Sequence, residues 1–155
     1  MEGPNNRAIR LFLSLANTKA IIFGVALAQF VWMLAFVVRY ELEFPVPADH
    51  WNPVRVMWEP SLVLLASLLL LLGGAWKYAL SIVLSAWVIY QLWYLGLVAA
   101  SAALDNPVLS FEVLSKWLSM MYASQPQYIL QVILSAIIMM SALSLLMRRS
   151  SGKLA

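Results

Sequence analysis

The sequence predicts an all-α integral membrane protein with four transmembrane helices and both termini in the cytoplasm. Of its 155 residues, 63% are hydrophobic and 11% are charged, whereas soluble domains contain about 45–50% apolar and about 25% charged residues. The mean hydropathy is +0.84. A water-soluble globule of this size cannot bury so much apolar surface, which excludes a cytosolic enzyme and a nucleic-acid partner. We expect one membrane domain over residues 1–155, in contact with the lipid bilayer.

Four apolar runs approach the length of a membrane-crossing helix, about 20 residues. They cover residues 20–38, 60–76, 79–103 and 127–147. The second run is expected to begin at Pro60. A backbone N–H at the first helical position has no acceptor within the helix, so proline, which lacks this N–H, is well tolerated there. Only Lys77 and its neighbours separate the second run from the third, and Gly73-Gly74 lets the chain turn tightly. This pattern predicts an antiparallel helical hairpin and four uninterrupted helices.

The charges are sorted between two groups of segments. The N-terminal segment, the hairpin and the C-terminal tail hold seven of the ten basic residues: Arg7, Arg10, Lys19, Lys77, Arg148, Arg149 and Lys153. The loops 39–60 and 104–126 hold six of the seven carboxylates: Glu41, Glu43, Asp49, Glu59, Asp105 and Glu112. Because basic residues accumulate on the cytoplasmic side, both termini are predicted to lie in the cytoplasm. The membrane is expected to be the plasma (inner) membrane of a bacterium.

The second outer loop contains an amphipathic segment at residues 107–123. Asn106 is suited to cap this helix, with Pro107 at its first position. One face carries the apolar residues Phe111, Leu114, Trp117, Leu118 and Met121. Placing Glu112 and Lys116 at the bilayer centre would cost about 3 kcal/mol each. We therefore expect an interfacial helix that lies along the outer surface of the membrane.

The third run carries a stripe of aromatic and polar residues. Trp87, Tyr90, Gln91 and Tyr94 recur at i, i+3, i+4 and i+7, which places them on one helix face. Together with Gln29 they could line a pocket for a flat hydrophobic ligand such as a quinone, a carotenoid or a lipid. The alternative is that the aromatic side chains fill grooves between helices or subunits, which is the commoner role of such stripes.

Three glutamines lie within the predicted spans, namely Gln29, Gln91 and Gln131. An amide that faces lipid leaves its donors without partners, so these side chains are expected to point inward and to bond across helices. Most of the other tryptophans and tyrosines lie near the span ends and fit an aromatic belt at the membrane interfaces.

The composition leaves little material for a catalytic or metal site. The chain has no cysteine and a single histidine, His50, which excludes a disulfide framework, an iron–sulfur cluster and a c-type haem attachment. No ionisable side chain lies deep within a predicted span, whereas pumps and proton relays need such groups. We therefore expect no enzymatic activity and no catalytic or metal-binding residue.

The first outer loop, residues 39–60, holds four prolines that would keep it extended: Pro45, Pro47, Pro53 and Pro60. A rigid loop that also carries tryptophans suits docking against another protein. These features predict a non-catalytic accessory or structural subunit of a larger membrane-protein complex of the respiratory or photosynthetic type. Two alternatives stay open: a binder of a flat hydrophobic cofactor, and an oligomeric pore or small transporter.

The segment from Leu68 to Trp87, LLLLLGGAWKYALSIVLSAW, resembles the DoxX-like family of small bacterial four-helix membrane proteins. In that family a Leu-rich second span turns at a glycine and a basic residue into the third. The resemblance implies a four-helix membrane fold and an association with quinone-linked redox complexes, and it transfers no catalytic residue. Residues 51–53 resemble the first loop of TspO-type tryptophan-rich proteins, but those have five spans, and Glu112 with Lys116 argue against a fifth span here.

Overall fold

The computed structural model describes residues 4–43, 53–104, 110–124 and 126–152, and within these ranges the chain is helical and contains no strand. The elements in order are α1 (Pro4–Glu43), α2 (Pro53–Leu72), α3 (Ala75–Ile89), a π-helical turn (Tyr90–Tyr94), α4 (Leu95–Leu104), α5 (Phe111–Ser124) and α6 (Pro126–Ser151). The all-helical prediction is confirmed for these residues.

The helices form a bundle in which α1 packs on α2, α2 on α3, and α6 on both α3 and α2. Their shared core is apolar and consists mostly of small and branched side chains: Ile22, Ala26, Val63, Ala66, Leu70, Tyr78, Val88, Leu134, Ile138 and Ala142. Three segments are long and apolar enough to cross a membrane, namely Ala16–Glu43, Ala75–Ala102 and Gln127–Ser151, and α2 contributes the shorter apolar helix Val56–Leu72.

The pairs α1 and α2, α2 and α3, and α3 and α6 are antiparallel, whereas α2 and α6 run in the same direction. The end of α2 approaches the first half of α1, since a Cβ built on Gly73 would lie 3.9 Å from Lys19 Nζ. The end of α6 reaches the same place, because Arg148 and Lys19 line one groove. We call this the basic end, formed by Lys19, Lys77, Arg148 and Arg149. The acidic end, formed by Glu41, Glu43 and Glu59, lies at the opposite ends of α1 and α2.

The second helix has different bounds from the predicted span 60–76. It begins at Pro53, which takes the first helical position that the sequence suggested for Pro60. Pro60 lies inside the helix and has no backbone N–H to donate. At the following residue, the Ser61 hydroxyl donates to the Met57 carbonyl at 2.6 Å. The helix ends at Leu72 because Gly73 and Gly74 adopt φ values of 69° and 115°, a region that favours glycine. The predicted glycine hairpin is confirmed.

The third predicted span, residues 79–103, begins earlier than expected, at Ala75. It is also not one uninterrupted α-helix, because residues 90–94 form a π-helical turn. A π turn accommodates an extra residue in the helix and rotates the side chains that follow it. The expectation of four uninterrupted helices is therefore wrong for this element.

The amphipathic helix α5 begins at Phe111, later than the predicted start at residue 107. Asn106 and Pro107 lie outside the described residues, and the observed cap is Ser110, whose hydroxyl accepts the Val113 N–H at 3.3 Å. The structure packs Leu114 and Trp117 of the predicted apolar face against α4, together with Val113, which the sequence argument missed. Phe111, by contrast, is 83% exposed. Helix α5 therefore folds back on α4 through a face rotated from the predicted one.

The contact between α4 and α5 depends on the absence of a side chain at Gly96. A Cβ at this position would overlap with the Trp117 indole, lying 2.7 Å from its Cδ1. Trp93 meets the same indole in an edge-on arrangement, with ring centroids 4.4 Å apart. Glycine at this position therefore lets two large aromatic rings and the helix backbone share one site.

We predict that Gly96→Ala lowers the free energy of unfolding by about 1–3 kcal/mol, because the new methyl group displaces the Trp117 ring. Gly24→Ala is the matched control: a Cβ at Gly24 meets nothing within 4 Å, and alanine stabilises a helix by about 0.5–1 kcal/mol relative to glycine. Denaturant titration in detergent, followed by tryptophan fluorescence, measures both changes.

A Trp117→Ala background separates this clash from a general intolerance of alanine in α4. The double variant should show a smaller cost for Gly96→Ala than the wild-type background, since the overlapping ring is gone. An equal cost in the two backgrounds would contradict the proposed overlap.

Candidate functional site

The residues that the sequence predicted to line one pocket occupy two separate places. Trp87, Tyr90 and Tyr94 lie on the outside of α3 and the π turn, where they are exposed. Gln91 is partly buried in the same turn, whereas Gln29 is buried on α1. No Cα atom of α1 comes within 8 Å of the π turn. The structure therefore keeps the aromatic residues together and does not bring Gln29 to them.

Trp87, Tyr90 and Tyr94 form a continuous stack, which we call the aromatic ladder. The Trp87 and Tyr90 ring centroids are 5.9 Å apart with an interplanar angle of 35°. The Tyr90 and Tyr94 rings are closer to parallel, at 5.3 Å and 18°. These side chains are 47%, 45% and 48% exposed, respectively. The ladder therefore presents a flat, amphipathic surface to whatever surrounds the bundle.

The π turn determines which way these aromatic residues face. Tyr90 and Tyr94 begin and end the turn and lie on the exposed face, whereas Trp93, between them, packs against Trp117 of α5. π turns are rare and occur frequently at functional sites. The sequence analysis assumed a regular helix and missed the turn. The sequence feature at the position of the π turn is the dense aromatic run YQLWY, which is followed closely by Gly96.

A second polar feature lies inside the bundle, and we call it the buried amide cluster: Gln29 on α1 with Gln131 and Ser135 on α6. All three side chains are buried. The Gln29 amide donates to the Gln127 carbonyl at 3.5 Å, which is the carbonyl that the Gln131 N–H bonds in a regular α-helix. Gln29 and Gln131 therefore lie within about one helical turn of each other.

The buried amide cluster contains polar atoms without hydrogen-bond partners among the described residues. They are Gln29 Oε1, both amide atoms of Gln131, and Ser135 Oγ. A buried polar atom without a partner costs about 1–3 kcal/mol. The predicted inward orientation of Gln29 and Gln131 is confirmed, but only Gln29 makes the predicted bond across helices, and that bond is long. The cluster is therefore a source of local instability in the apolar core.

The described residues contain no group of three or more His, Cys, Asp and Glu side chains that could hold a metal ion. Asp49 and His50 lie outside the described residues. The aromatic ladder can stack against a flat group and can donate hydrogen bonds from two phenol hydroxyls. Recognition through stacking and hydrogen bonding is therefore the chemistry that this surface supports.

We predict that Gln131→Leu raises the free energy of unfolding by about 1–2 kcal/mol, because it removes an unpartnered amide and keeps the side-chain volume. Ser81→Ala is the opposite control: the buried Ser81 hydroxyl donates to the Ala66 carbonyl at 2.9 Å, so its removal should cost about 1 kcal/mol. Unfolding in detergent measures both. Destabilisation by Gln131→Leu would show that this amide has a partner in the folded protein.

Comparison of the chain with protein-family models, with curated proteins and with solved structures finds no match to any of the three. The four-helix membrane fold implied by the resemblance of residues 68–87 to the DoxX-like family therefore stays a prediction from the sequence. The function has to be argued from the geometry of the aromatic ladder and from the distribution of charge.

Proposed function

We propose that this chain is a non-catalytic membrane subunit that packs its aromatic ladder against a transmembrane helix of another protein. The observation that carries the proposal is the stack of three half-exposed aromatic side chains on the outside of the bundle. The membrane placement argued below would surround two of them, Trp87 and Tyr90, with lipid. The larger complex that the sequence favours for this subunit is of the respiratory or photosynthetic type. The supporting argument begins with how the bundle sits in the membrane.

The proposed membrane placement has four spans, with the basic end in the cytoplasm. The apolar part of α2, Val56–Leu72, is about 25 Å long at the helical rise, slightly shorter than the ~30 Å hydrocarbon thickness of a bilayer. It runs between the acidic end at Glu59 and the basic end at Gly73. The accumulation of Lys19, Lys77 and Arg148 at one end supports a cytoplasmic location for that end.

The depth of the aromatic ladder follows from its distance to the basic end. Ala75 marks this end, since it lines a groove together with Arg149. At the helical rise, Trp87 lies about 18 Å, Tyr90 about 22 Å and Tyr94 about 28 Å from Ala75. Hydrocarbon extends over about 30 Å, so Trp87 and Tyr90 lie within it. A phenol hydroxyl exposed there has no water to bond, which is unfavourable.

A neighbouring helix removes this penalty better than lipid does. Small polar side chains such as serine and threonine supply hydrogen-bond acceptors between membrane helices. Stacked aromatic rings also lose little conformational entropy on binding, and aromatic residues are enriched at the centres of protein interfaces. The ladder therefore fits a partner helix that presents hydroxyl groups and small residues.

A site-specific photocrosslinker at Tyr90 tests the proposed contact, with Val31 as the control. Val31 is also exposed and lies about 18 Å from Lys19 along α1, at a comparable depth but on another helix. We expect Tyr90 to crosslink to one protein of defined mass and Val31 to crosslink to lipid. Lipid adducts alone at both positions would refute the proposal, and a dimer of this chain would replace the partner with a second copy.

The ladder residues themselves can be tested by co-purification in mild detergent. Replacing Tyr90 and Tyr94 together with alanine should lower recovery of the crosslinked partner at least about ten-fold, equivalent to about 1.4 kcal/mol. Val31→Ala should leave recovery unchanged. A stoichiometric quinone or carotenoid in the organic extract, lost in the double variant, would favour the cofactor-binding alternative instead.

Single-cysteine variants test the proposed topology, in which the basic end lies in the cytoplasm. The chain has no cysteine of its own, so each variant carries one labelling site. Leu42→Cys lies at the acidic end, while Trp76→Cys and Ser151→Cys lie at the basic end, and all three positions are exposed. A membrane-impermeant maleimide applied to intact cells should label position 42 alone, and permeabilisation should expose the other two. Labelling of positions 42 and 76 from the same side would show that α2 does not cross the membrane.

A further inference from the structure

A groove between α1 and α6 at the basic end combines two cations, two hydroxyls and an apolar wall. Lys19 and Arg148 provide the charge, Ser141 and Ser144 the hydroxyls, and Ile22 and Met140 the apolar side. The cavity has a volume of about 280 Å³. This composition suits a ligand with an anionic oxygen group joined to a hydrocarbon part.

Lys19 is held in place at this groove. Its Nζ donates to the Tyr78 hydroxyl at 2.8 Å and lies 5.1 Å from the centroid of the same ring. A lysine ammonium has three N–H donors, so two remain for an anion after the bond to Tyr78. The groove therefore has a positioned cation at its rim.

The described carboxylates do not neutralise this charge. They are Glu41, Glu43, Glu59 and Glu112. The first three form the acidic end, and Glu112 lies on α5, which packs against α4 and the start of α6. Glu43 is itself paired with Arg39, at 2.7 Å, at the acidic end. An external anion is therefore the counter-ion that the groove favours.

We propose that this groove binds the phosphodiester headgroup of an anionic phospholipid from the cytoplasmic leaflet. The inference rests on the proposed membrane placement and is independent of the protein partner at the aromatic ladder. Lys19 and Arg148 contact the phosphate oxygens, and Ser141 and Ser144 donate further hydrogen bonds. Ile22 lies about one helical turn deeper than Lys19, where the acyl chain begins. Basic pockets between membrane helices on the cytoplasmic side recognise anionic lipids in this way.

Native mass spectrometry of the purified full chain in detergent tests the site. Phosphatidylglycerol is the probe, phosphatidylcholine is the zwitterionic control, and inorganic phosphate is the competitor. We expect one phosphatidylglycerol to bind at least ten-fold more tightly than phosphatidylcholine. Equal binding of the two lipids would refute the proposal. Displacement of phosphatidylglycerol by millimolar phosphate would assign the groove to the free anion.

Two charge-matched double variants separate the groove from the general charge of this end. Lys19→Gln with Arg148→Gln should lower phosphatidylglycerol binding at least ten-fold. Lys77→Gln with Arg149→Gln removes the same charge at the same end but outside the groove, and should change binding less than three-fold. Equal losses in the two variants would show diffuse attraction and overturn the site.

A third variant guards against a folding defect, since Lys19→Gln also removes the bond to Tyr78. Ser144→Phe fills the groove and keeps both cations. It should abolish selective phosphatidylglycerol binding while the thermal unfolding temperature stays within a few degrees of wild type. Retained selective binding with a filled groove would overturn the proposal. Because the purified chain is measured alone, this result does not depend on whether Tyr90 contacts a protein.

Discussion

The backbone of a membrane protein has to satisfy its own hydrogen bonds, and this constraint organises the rest of the chain. Hydrocarbon offers no water to a free N–H or carbonyl group, so an element that crosses it without closing into a barrel has to be helical. The two connections of the bundle that the structure describes are accordingly short. Gly73-Gly74 joins α2 to α3, and the π turn keeps α3 continuous with α4. The charged side chains of the bundle helices lie near its two ends, and the interior carries amides and hydroxyls.

One local irregularity determines two different surfaces. The π turn places Trp93 against Trp117, where Gly96 leaves room for the indole, and this contact holds α5 on α4. The same turn leaves Tyr90 and Tyr94 stacked on the outside. The docking of α5 and the exposure of the aromatic ladder are therefore coupled through five residues. A change that restores a regular α-helix there would rotate every side chain that follows it and would disturb both surfaces together.

Composition and periodicity were sufficient for the helical class, the apolar segments and the glycine hairpin, because these follow from hydropathy and from backbone conformations that glycine favours. They were insufficient for the start of α2, since Pro53 and Pro60 satisfy the same rule and only packing decides between them. The π turn depends on how α5 meets α4, and residues distant in sequence determine that contact. Sequence spacing placed Trp87, Tyr90 and Tyr94 on one face correctly. It could not tell whether this face points into the bundle or away from it, because a stripe looks the same in both cases.

The two-residue connection between α2 and α3 has a consequence for how the protein enters the membrane. Two residues span at most about 7 Å, so these helices cannot be threaded one after the other with a hydrated loop between them. In the proposed membrane placement they would insert as a preformed hairpin, with the turn at Gly73-Gly74 and the adjacent Lys77 on the side of synthesis. The backbone bonds from Gly73 N–H to the Leu69 carbonyl at 3.2 Å and from Tyr78 N–H to the Gly74 carbonyl at 2.9 Å end α2 and begin α3 directly on either side of the turn. In the proposed four-span placement, biogenesis of this chain would require the export of two polar loops and no passage of the basic hairpin through hydrocarbon.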